Sequence, residues 1–256
     1  MRVDFHLHYV VTNESFVPER LRLMDEADVR WSVLHPLPHL HFMDGTCGDN
    51  EEVLQVVRAY PDRFVGSIYV DPRQPDWKET LDRYAGEGFR CVKMWPPVGF
   101  YPDEPQFAPI YEYIQELVLP VLFHVGLTGI GREYDSKYAD PIRIEPLLRR
   151  YPRITFLLAH WGGLGTFQMS WALMKANDNV FLDSSARVWS WPGEGLYRLY
   201  ATVTPVDFRR LVWGTDNLET PAAGIRCDRE LLRQIGKEEF ADAYFGETAR
   251  RVLRLP

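Results

Sequence analysis

Short apolar runs and amphipathic stretches alternate eight times along this chain, and no other feature restricts its fold so tightly. "VDFHLH" leads into a helical pattern at "PERLRLMDEADV", where Pro18 suits a first helical turn. "WSVLHP", "RFVGSIYV", "FRCVKMW", "PVLFHVG", "RITFLLAH", "VFLDSSA" and "RRLVWGTD" are the further strand candidates. The helical patterns between and after them are "NEEVLQVVRAY", "DWKETLDRYAGEG", "FAPIYEYIQELV", "PIRIEPLLRRY", "TFQMSWALMKAN", "EGLYRLYAT" and a last region from about Asp228 to Leu253. Asn50 reads as the N-cap of the second helix, with two glutamates in its first turn to complement the helix dipole. Strand–helix units in series imply a parallel sheet. Eight of them in 256 residues predict an α/β fold, a single (β/α)8 TIM barrel forming one domain over residues 1–256. An open doubly wound sheet is the runner-up, but no glycine-rich phosphate loop follows the first strand.

Composition excludes several classes of function. Hydrophobic residues make up 46% and charged residues 25%, which argues against disorder. With 29 basic against 36 acidic residues the net charge is −7, which disfavours nucleic acid or an anionic membrane as partner. Cys47, Cys91 and Cys227 are widely spaced and odd in number. Neither a disulfide framework nor a cysteine-based zinc site is expected, and a reducing cytoplasm fits. No signal peptide is read before the first strand, and no apolar run approaches membrane-spanning length. A small molecule is the expected partner, with a homo-oligomer left open.

The opening "MRVDFHLHYV" puts Asp4, His6 and His8 on one parity and Val3, Phe5 and Leu7 on the other. A regular strand would turn the first set to one face and the second to the other. In a (β/α)8 barrel the catalytic groups sit at the C-terminal strand ends. His6 and His8 end strand 1, His35 strand 2, Lys93 and Trp95 strand 4, and His124 strand 5. His160 ends strand 6, Asp183 and Ser184 strand 7, and Asp216 strand 8. Five of the seven histidines thus gather on one rim, which scattered structural histidines have no reason to do. A zinc-type ion takes imidazole and carboxylate ligands and keeps one position open. His6, His8, His124 and Asp216 offer three nitrogens and one oxygen from strands 1, 5 and 8, with His160 beside them.

That order of residues resembles the amidohydrolase superfamily of metal-dependent hydrolases. "GFRCVKMWPPVGFYP", "LPVLFHVG", "YPRITFLLAHWGG", "LDSSA" and "LVWGTDN" are similar, in order, to its amidohydrolase-related (family 2) branch, which includes aminocarboxymuconate-semialdehyde decarboxylase-like enzymes. The resemblance implies one divalent ion, zinc or else manganese, on His6, His8, His124 and Asp216. It puts His160 next to the ion or against substrate. In two-metal members a carboxylated lysine ends strand 4. The family 2 branch works with one metal, so Lys93 is expected to bind an anionic substrate or pair with a barrel carboxylate. Thr248 stands where such proteins often carry Asn, a capping difference.

The remaining candidates are weaker. Asp183 reads equally as a site residue or as a cap for the following turn. His35 is near the rim and is a substrate contact by position, whereas His39 and His41 on a proline-flanked loop read as surface residues. Arg132 and Arg187, in the loops after strands 5 and 7, are candidate carboxylate clamps. Trp95, Trp161 and the "RVWSW" loop with Trp189 and Trp191 offer a flat apolar wall. The expected activity is hydrolysis of an ester, lactone or amide of a small, possibly aromatic, organic acid. There Asp216 takes a proton from water, as base, and His160 polarises the carbonyl. The alternatives are a non-oxidative decarboxylase or hydratase of an aromatic or muconate-type acid, and a non-catalytic metal-binding barrel.

Overall fold

The computed structural model describes residues 1–37, 41–42, 45–128, 133–163, 165–186 and 207–256. The strands are β1 (Arg2–Leu7), β2 (Val29–Leu34), β3 (Phe64–Tyr69), β4 (Cys91–Met94), β5 (Val121–Phe123), β6 (Phe156–Leu158), β7 (Val180–Asp183) and β8 (Leu211–Val212). They form one eight-stranded sheet in chain order, each pairing in parallel with the next. Helices α1 (Phe16–Glu26), α2 (Asn50–Ala59), α3 (Trp77–Gly86), α4 (Ala108–Leu117), α5 (Glu145–Arg150), α6 (Phe167–Ala176), α7 (Pro221–Gln234) and α8 (Thr248–Leu253) accompany them. A short hairpin, His41–Phe42 against Gly45–Thr46, lies in the loop after β2. The barrel expected from the alternation is the architecture found. The helix read at "EGLYRLYAT" lies outside the described residues.

Two hydrophobic layers follow from the two faces of the sheet. Val3 and Phe5 pack with Val33, Val65, Cys91, Leu122, Leu157, Phe181 and Val212, so every strand contributes to the barrel interior. The opposite parity, including Leu34, Ile68, Phe123, Leu158 and Leu182, joins Met24, Leu81 and Ile114 of the helices in the outer core. Cys91 is sealed in the interior and Cys47 is buried near the rim, and burial pushes both thiols up to about 12. Among the described residues no helix is long and apolar enough to cross a membrane.

The simple alternation expected for "VDFHLH" is broken once. Asp4 pairs with Ser32 and Leu7 with Leu34, so β1 spends two residues, Phe5 and His6, against the single Val33 of β2. This is a β-bulge, which re-aims the side chains beyond it. Phe5 stays in the interior and Leu7 falls in the outer core. Asp4 therefore parts company with His6. It is fully buried, with its Oδ2 3.7 Å from the guanidinium of Arg20 on α1.

Other local corrections are small. Asp49, not Asn50, caps α2, in a capping box with Glu52. Asn50 instead clasps the backbone of Tyr69 at the end of β3 with both ends of its carboxamide. The last helical region begins earlier than expected, at Pro221, and is interrupted before α8. Thr248 is not its cap; its hydroxyl donates to the Arg209 carbonyl and ties α8 to the approach to β8.

β1 and β8 stand at the two ends of the hydrogen-bonded order, and the barrel closes where they meet. Phe5 N donates to Trp213 O at 2.8 Å, and Asp216 N donates to His6 O at 2.8 Å. Gly214 sits between these bonds. A Cβ there would stand 2.8 Å from His6 Cβ and 2.9 Å from His6 N, closer than side-chain and backbone atoms pack. Gly214→Ala is therefore expected to lower unfolding stability by on the order of 2 kcal/mol, read from the urea midpoint at unchanged slope. A wild-type midpoint would show that the seam has slack.

Candidate metal centre

Each expected ligand enters from a strand end whose local chemistry explains its position. The bulge in β1 turns His6 and His8 to the C-terminal mouth. Asp216 follows β8 in a left-handed conformation (φ 53°), and its backbone N–H reaches across to His6 O. His8 Nε2 lies 3.1 Å from His6 Nε2. Asp216 Oδ1 lies 3.6 Å from His6 Nε2 and 3.3 Å from His8 Nε2. All three residues are buried.

Hydrogen bonds fix which atoms of these rings carry protons. His8 Nδ1 is 2.7 Å from the His35 carbonyl, which can only accept, so Nδ1 donates and Nε2 keeps its lone pair. His6 Nδ1 is 2.5 Å from Asp183 Oδ2 and donates there, leaving its Nε2 lone pair toward His8. Asp183 also receives Ser185 N on Oδ1 at 2.9 Å and the Ser185 hydroxyl on Oδ2 at 2.8 Å. The Ser185 oxygen, having given its proton, accepts from His160 Nδ1 at 3.0 Å. His160 Nε2 then accepts from His124 Nδ1 at 3.1 Å. The chain ends at His124 Nε2, a buried lone pair with no hydrogen-bond partner among the described residues.

Two imidazole lone pairs face each other at 3.1 Å beside a carboxylate oxygen, and the Lys93 ammonium, 3.3 Å from His6 Nε2, answers one of them, whereas a cation among the three would answer them all. Among the described residues Asp216 Oδ1 has no hydrogen-bond donor. The three separations match the edge of a tetrahedron about 3.3 Å long that ligand bonds of about 2.0–2.1 Å would span. The donor set therefore fits a divalent ion, and His6, His8 and Asp216 are brought together as one group able to hold it. His124 stands one residue away, held by His160, with its free Nε2 as the fourth candidate. His6, His160 and Asp183 form a second cluster of close ligand atoms, but there Asp183 is already committed to Nδ1 of His6. That is the carboxylate–histidine support common behind metal ligands.

Burial sets the protonation states that ligation needs. It lowers the pKa of His6 and His124 well below the ordinary value, helped by Lys93, and lowers His160 to about 4. These imidazoles are neutral at pH 7. Burial works to raise Asp216, but His8, His160 and Lys93 outweigh it, and the carboxyl lies below its usual range. Burial raises Asp183. Lys93 is wholly enclosed, its Nζ 3.3 Å from His6 Nε2, and burial lowers its pKa.

The other expected contacts divide. Trp95 lies on the rim, edge-on to His124 at 6.0 Å and to Tyr134 at 4.4 Å between ring centroids. Trp161 does not line the mouth, because it is buried in the outer core against Tyr244. His35 Nε2 donates to Phe5 O at 2.8 Å, and its Nδ1 accepts from the Ser67 hydroxyl at 2.7 Å. With both nitrogens engaged it has none to offer a substrate and serves instead to hold His8 through its carbonyl. Asp183 accepts from Ser185 N in the following turn and from His6 Nδ1. Arg132, Arg187, His39, Trp189 and Trp191 lie outside the described residues, as does the side chain of His41. The signal for Ser185 in the sequence is the polar doublet after Asp183 in "LDSSA".

The sequence matches the family described as Amidohydrolase over residues 3–255. The chain belongs to that family, whose superfamily members are metal-dependent enzymes, and it is an enzyme of that superfamily. No curated protein sequence matches it. Among solved structures it is similar to an uncharacterised TIM-barrel protein from Bordetella bronchiseptica, with a TM-score of 0.72, 19% identity and coverage of 99% of this chain and 98% of that one. It is also similar to a probable 2-pyrone-4,6-dicarboxylic acid hydrolase from Acinetobacter baumannii, with a TM-score of 0.71, 16% identity and 99% of both chains covered. A 4-oxalomesaconate hydratase from Rhodopseudomonas palustris gives a TM-score of 0.68 at 18% identity, over 99% of this chain and 96% of that one. At these identities the likeness is one of fold.

Asp183→Asn tests the support of His6. The amide keeps the volume but loses the charge that holds Nδ1–H in place. Zinc affinity, measured by chelator competition, is expected to fall about ten- to a hundredfold. Unchanged affinity would reduce Asp183 to a turn residue.

Proposed function

We propose that this barrel is a metal-dependent hydrolase of a lactone, ester or amide bearing a carboxylate, working with one zinc-type ion on His6, His8, Asp216 and His124. Manganese is the alternative ion. The observation that carries the reading is the convergence of ring nitrogens on an Asp216 oxygen that has no hydrogen-bond donor among the described residues. An ion held there supplies Lewis acidity and lowers the pKa of water from about 15.7 to near 7.

The chain's own groups then divide the remaining work. Asp216 turns Oδ1 to the histidine pair and Oδ2 toward His160 Nδ1, at 3.8 Å. Oδ2 is placed to take the proton of the attacking water and return it to the leaving oxygen or nitrogen. His160, neutral and fixed between Ser185 and His124, presents its ring beside that oxygen. When substrate takes the Nδ1–H of His160 over from Ser185, that proton steadies the charge that develops on the carbonyl oxygen. Lys93 puts a cation in a dry site, which favours a substrate carrying negative charge. Trp95 offers its ring edge to a planar substrate. The neighbour named as a pyrone dicarboxylate hydrolase supports a carboxylated lactone as the first compound to try.

A hydratase reading draws on the oxalomesaconate hydratase neighbour, and a carboxy-lyase reading on the decarboxylase-like strings of the sequence. Hydrolysis is preferred because Asp216 has one oxygen left over for a proton. The test screens carboxylated lactones, esters and amides beside aromatic and muconate-type acids with added zinc or manganese, following acid and carbon dioxide release. Metal-dependent acid release is expected. Carbon dioxide release without hydrolysis of any carbonyl compound would transfer the chain to the carboxy-lyase reading. On the best substrate, Asp216→Asn and His160→Asn are expected to lose about 10²–10⁴-fold in kcat, with His160→Asn keeping its metal. Wild-type turnover in His160→Asn would make that residue structural.

A further inference from the structure

Asn217 bonds to the backbone of His8, and its carboxamide spans the seam between Asp216 and the candidate ligands of β1. Its Oδ1 accepts from His8 N at 2.8 Å and its Nδ2 donates to His8 O at 2.8 Å. Only one orientation of the amide satisfies both bonds, since a backbone N–H cannot accept and a carbonyl cannot donate. The side chain thus copies the two-bond exchange of a paired strand, at a point where β8 has already ended at Val212. The same device recurs at Asn50, whose carboxamide clasps Tyr69 N and O at 2.8 and 2.9 Å. Asn217 adopts φ 60°, directly after Asp216 at φ 53°. Asn and Gly are the residues that enter this region at least cost.

We propose that Asn217 is a positioning residue for the metal centre, fixing His8 on β1 relative to Asp216 after β8. The proposal rests on the reading that these side chains hold the ion. Asp216 and Asn217 are adjacent, and His8 Nε2 to Asp216 Oδ1 is the 3.3 Å separation the carboxamide governs. Asp216 N to His6 O ties His6 across the seam, and His35 O holds the His8 ring on the β2 side, while the Asn217 carboxamide ties the backbone of His8 itself to the β8 side. Removing the carboxamide therefore loosens one ligand of the group while the barrel below stays closed by Phe5 N to Trp213 O.

The experiment compares wild type, Asn217→Gly and Asn217→Asp. Glycine retains the left-handed backbone and deletes both bonds. Aspartate keeps the acceptor for His8 N and loses the donor to His8 O. Each zinc-loaded protein is challenged with a chelator and the rate of zinc loss followed, and the metal-free proteins are melted in parallel. Zinc loss is expected to be about ten- to a hundredfold faster in Asn217→Gly and intermediate in Asn217→Asp. A merely structural residue would lower the melting temperature of the metal-free protein and leave zinc loss from the folded protein unchanged, and that result overturns the proposal. If Asn217→Gly does not fold, Asn217→Asp decides alone: wild-type zinc loss overturns the proposal and faster loss supports it. A wild type that takes up no zinc or manganese overturns the metal reading itself. Zinc held equally by all three proteins sinks only the role of Asn217.

Discussion

Where the first strand meets the last, two backbone hydrogen bonds close the barrel, and the candidate metal centre is built across that closure. His6 and His8 come from one side and Asp216 from the other, so no ligand set exists until the chain ends are joined. The joint is short. β8 contributes two ladder residues, and side chains take over where the ladder stops. Below the mouth, Thr215 gives its N–H and its hydroxyl to the Asp4 carboxylate at 2.9 and 2.7 Å. Arg20 lies behind that carboxylate, and burial still pushes Asp4 up to about 6. A charged group this costly to enclose is kept where the hydrogen bonds it accepts are worth most, next to the residue preceding Asp216.

The electrostatics follow from the same closure. Enclosing the rings keeps them neutral, and fixing one nitrogen of each ring as donor leaves the other nitrogen as a lone pair. The donors run in one direction, from His124 through His160 and Ser185 to Asp183, with His6 joining at the same carboxylate. Asp183 is thus the common sink for a network that would otherwise have two or more tautomeric solutions. Its three acceptor contacts settle the ring states at the mouth more than any contact between the ligands themselves.

How much of this could be read from the amino-acid sequence depends on the range of the interaction. Alternation of apolar runs is a local signal repeated eight times, so the barrel was legible. Strand-end positions follow from it, so His6, His8, His124, His160 and Asp216 could be named, although the structure gathers three of them more tightly than the other two. The bulge at Phe5 and His6 was not legible, because it is defined by the partner strand and not by the sequence of β1. Simple parity therefore placed Asp4 with the histidines, when it belongs with Arg20 and Thr215. The surroundings of His35 and Trp161 were not legible for the same reason. Their position in the sequence marked a rim, but their partners, Ser67 and Phe5 for one and Tyr244 for the other, lie far along the chain. Ser185 was overlooked because a serine's role is set by what its hydroxyl meets.

Backbone strain shows where the fold gives up stability to hold the site. Eight described residues other than glycine have positive φ, and five of them, His160, Trp161, Ala186, Asp216 and Asn217, follow β6, β7 and β8. Each left-handed residue costs roughly 1–2 kcal/mol, a cost that falls for asparagine and aspartate. Gly162 and Gly163 continue the turn after His160 at φ 88°, and a Cβ on Gly163 would stand 2.4 Å from the Val125 carbonyl oxygen. Such a turn persists only if its surroundings hold it. Here Ser170 and Thr166 donate their hydroxyls to Gly162 O, and His160 is held from both sides by Ser185 and His124. A strand that ended in relaxed extended backbone would carry the next side chain away to the opposite face. The left-handed step lets the chain leave for its helix while His160 and Asp216 remain at the mouth, so two of the candidate site residues are themselves strained.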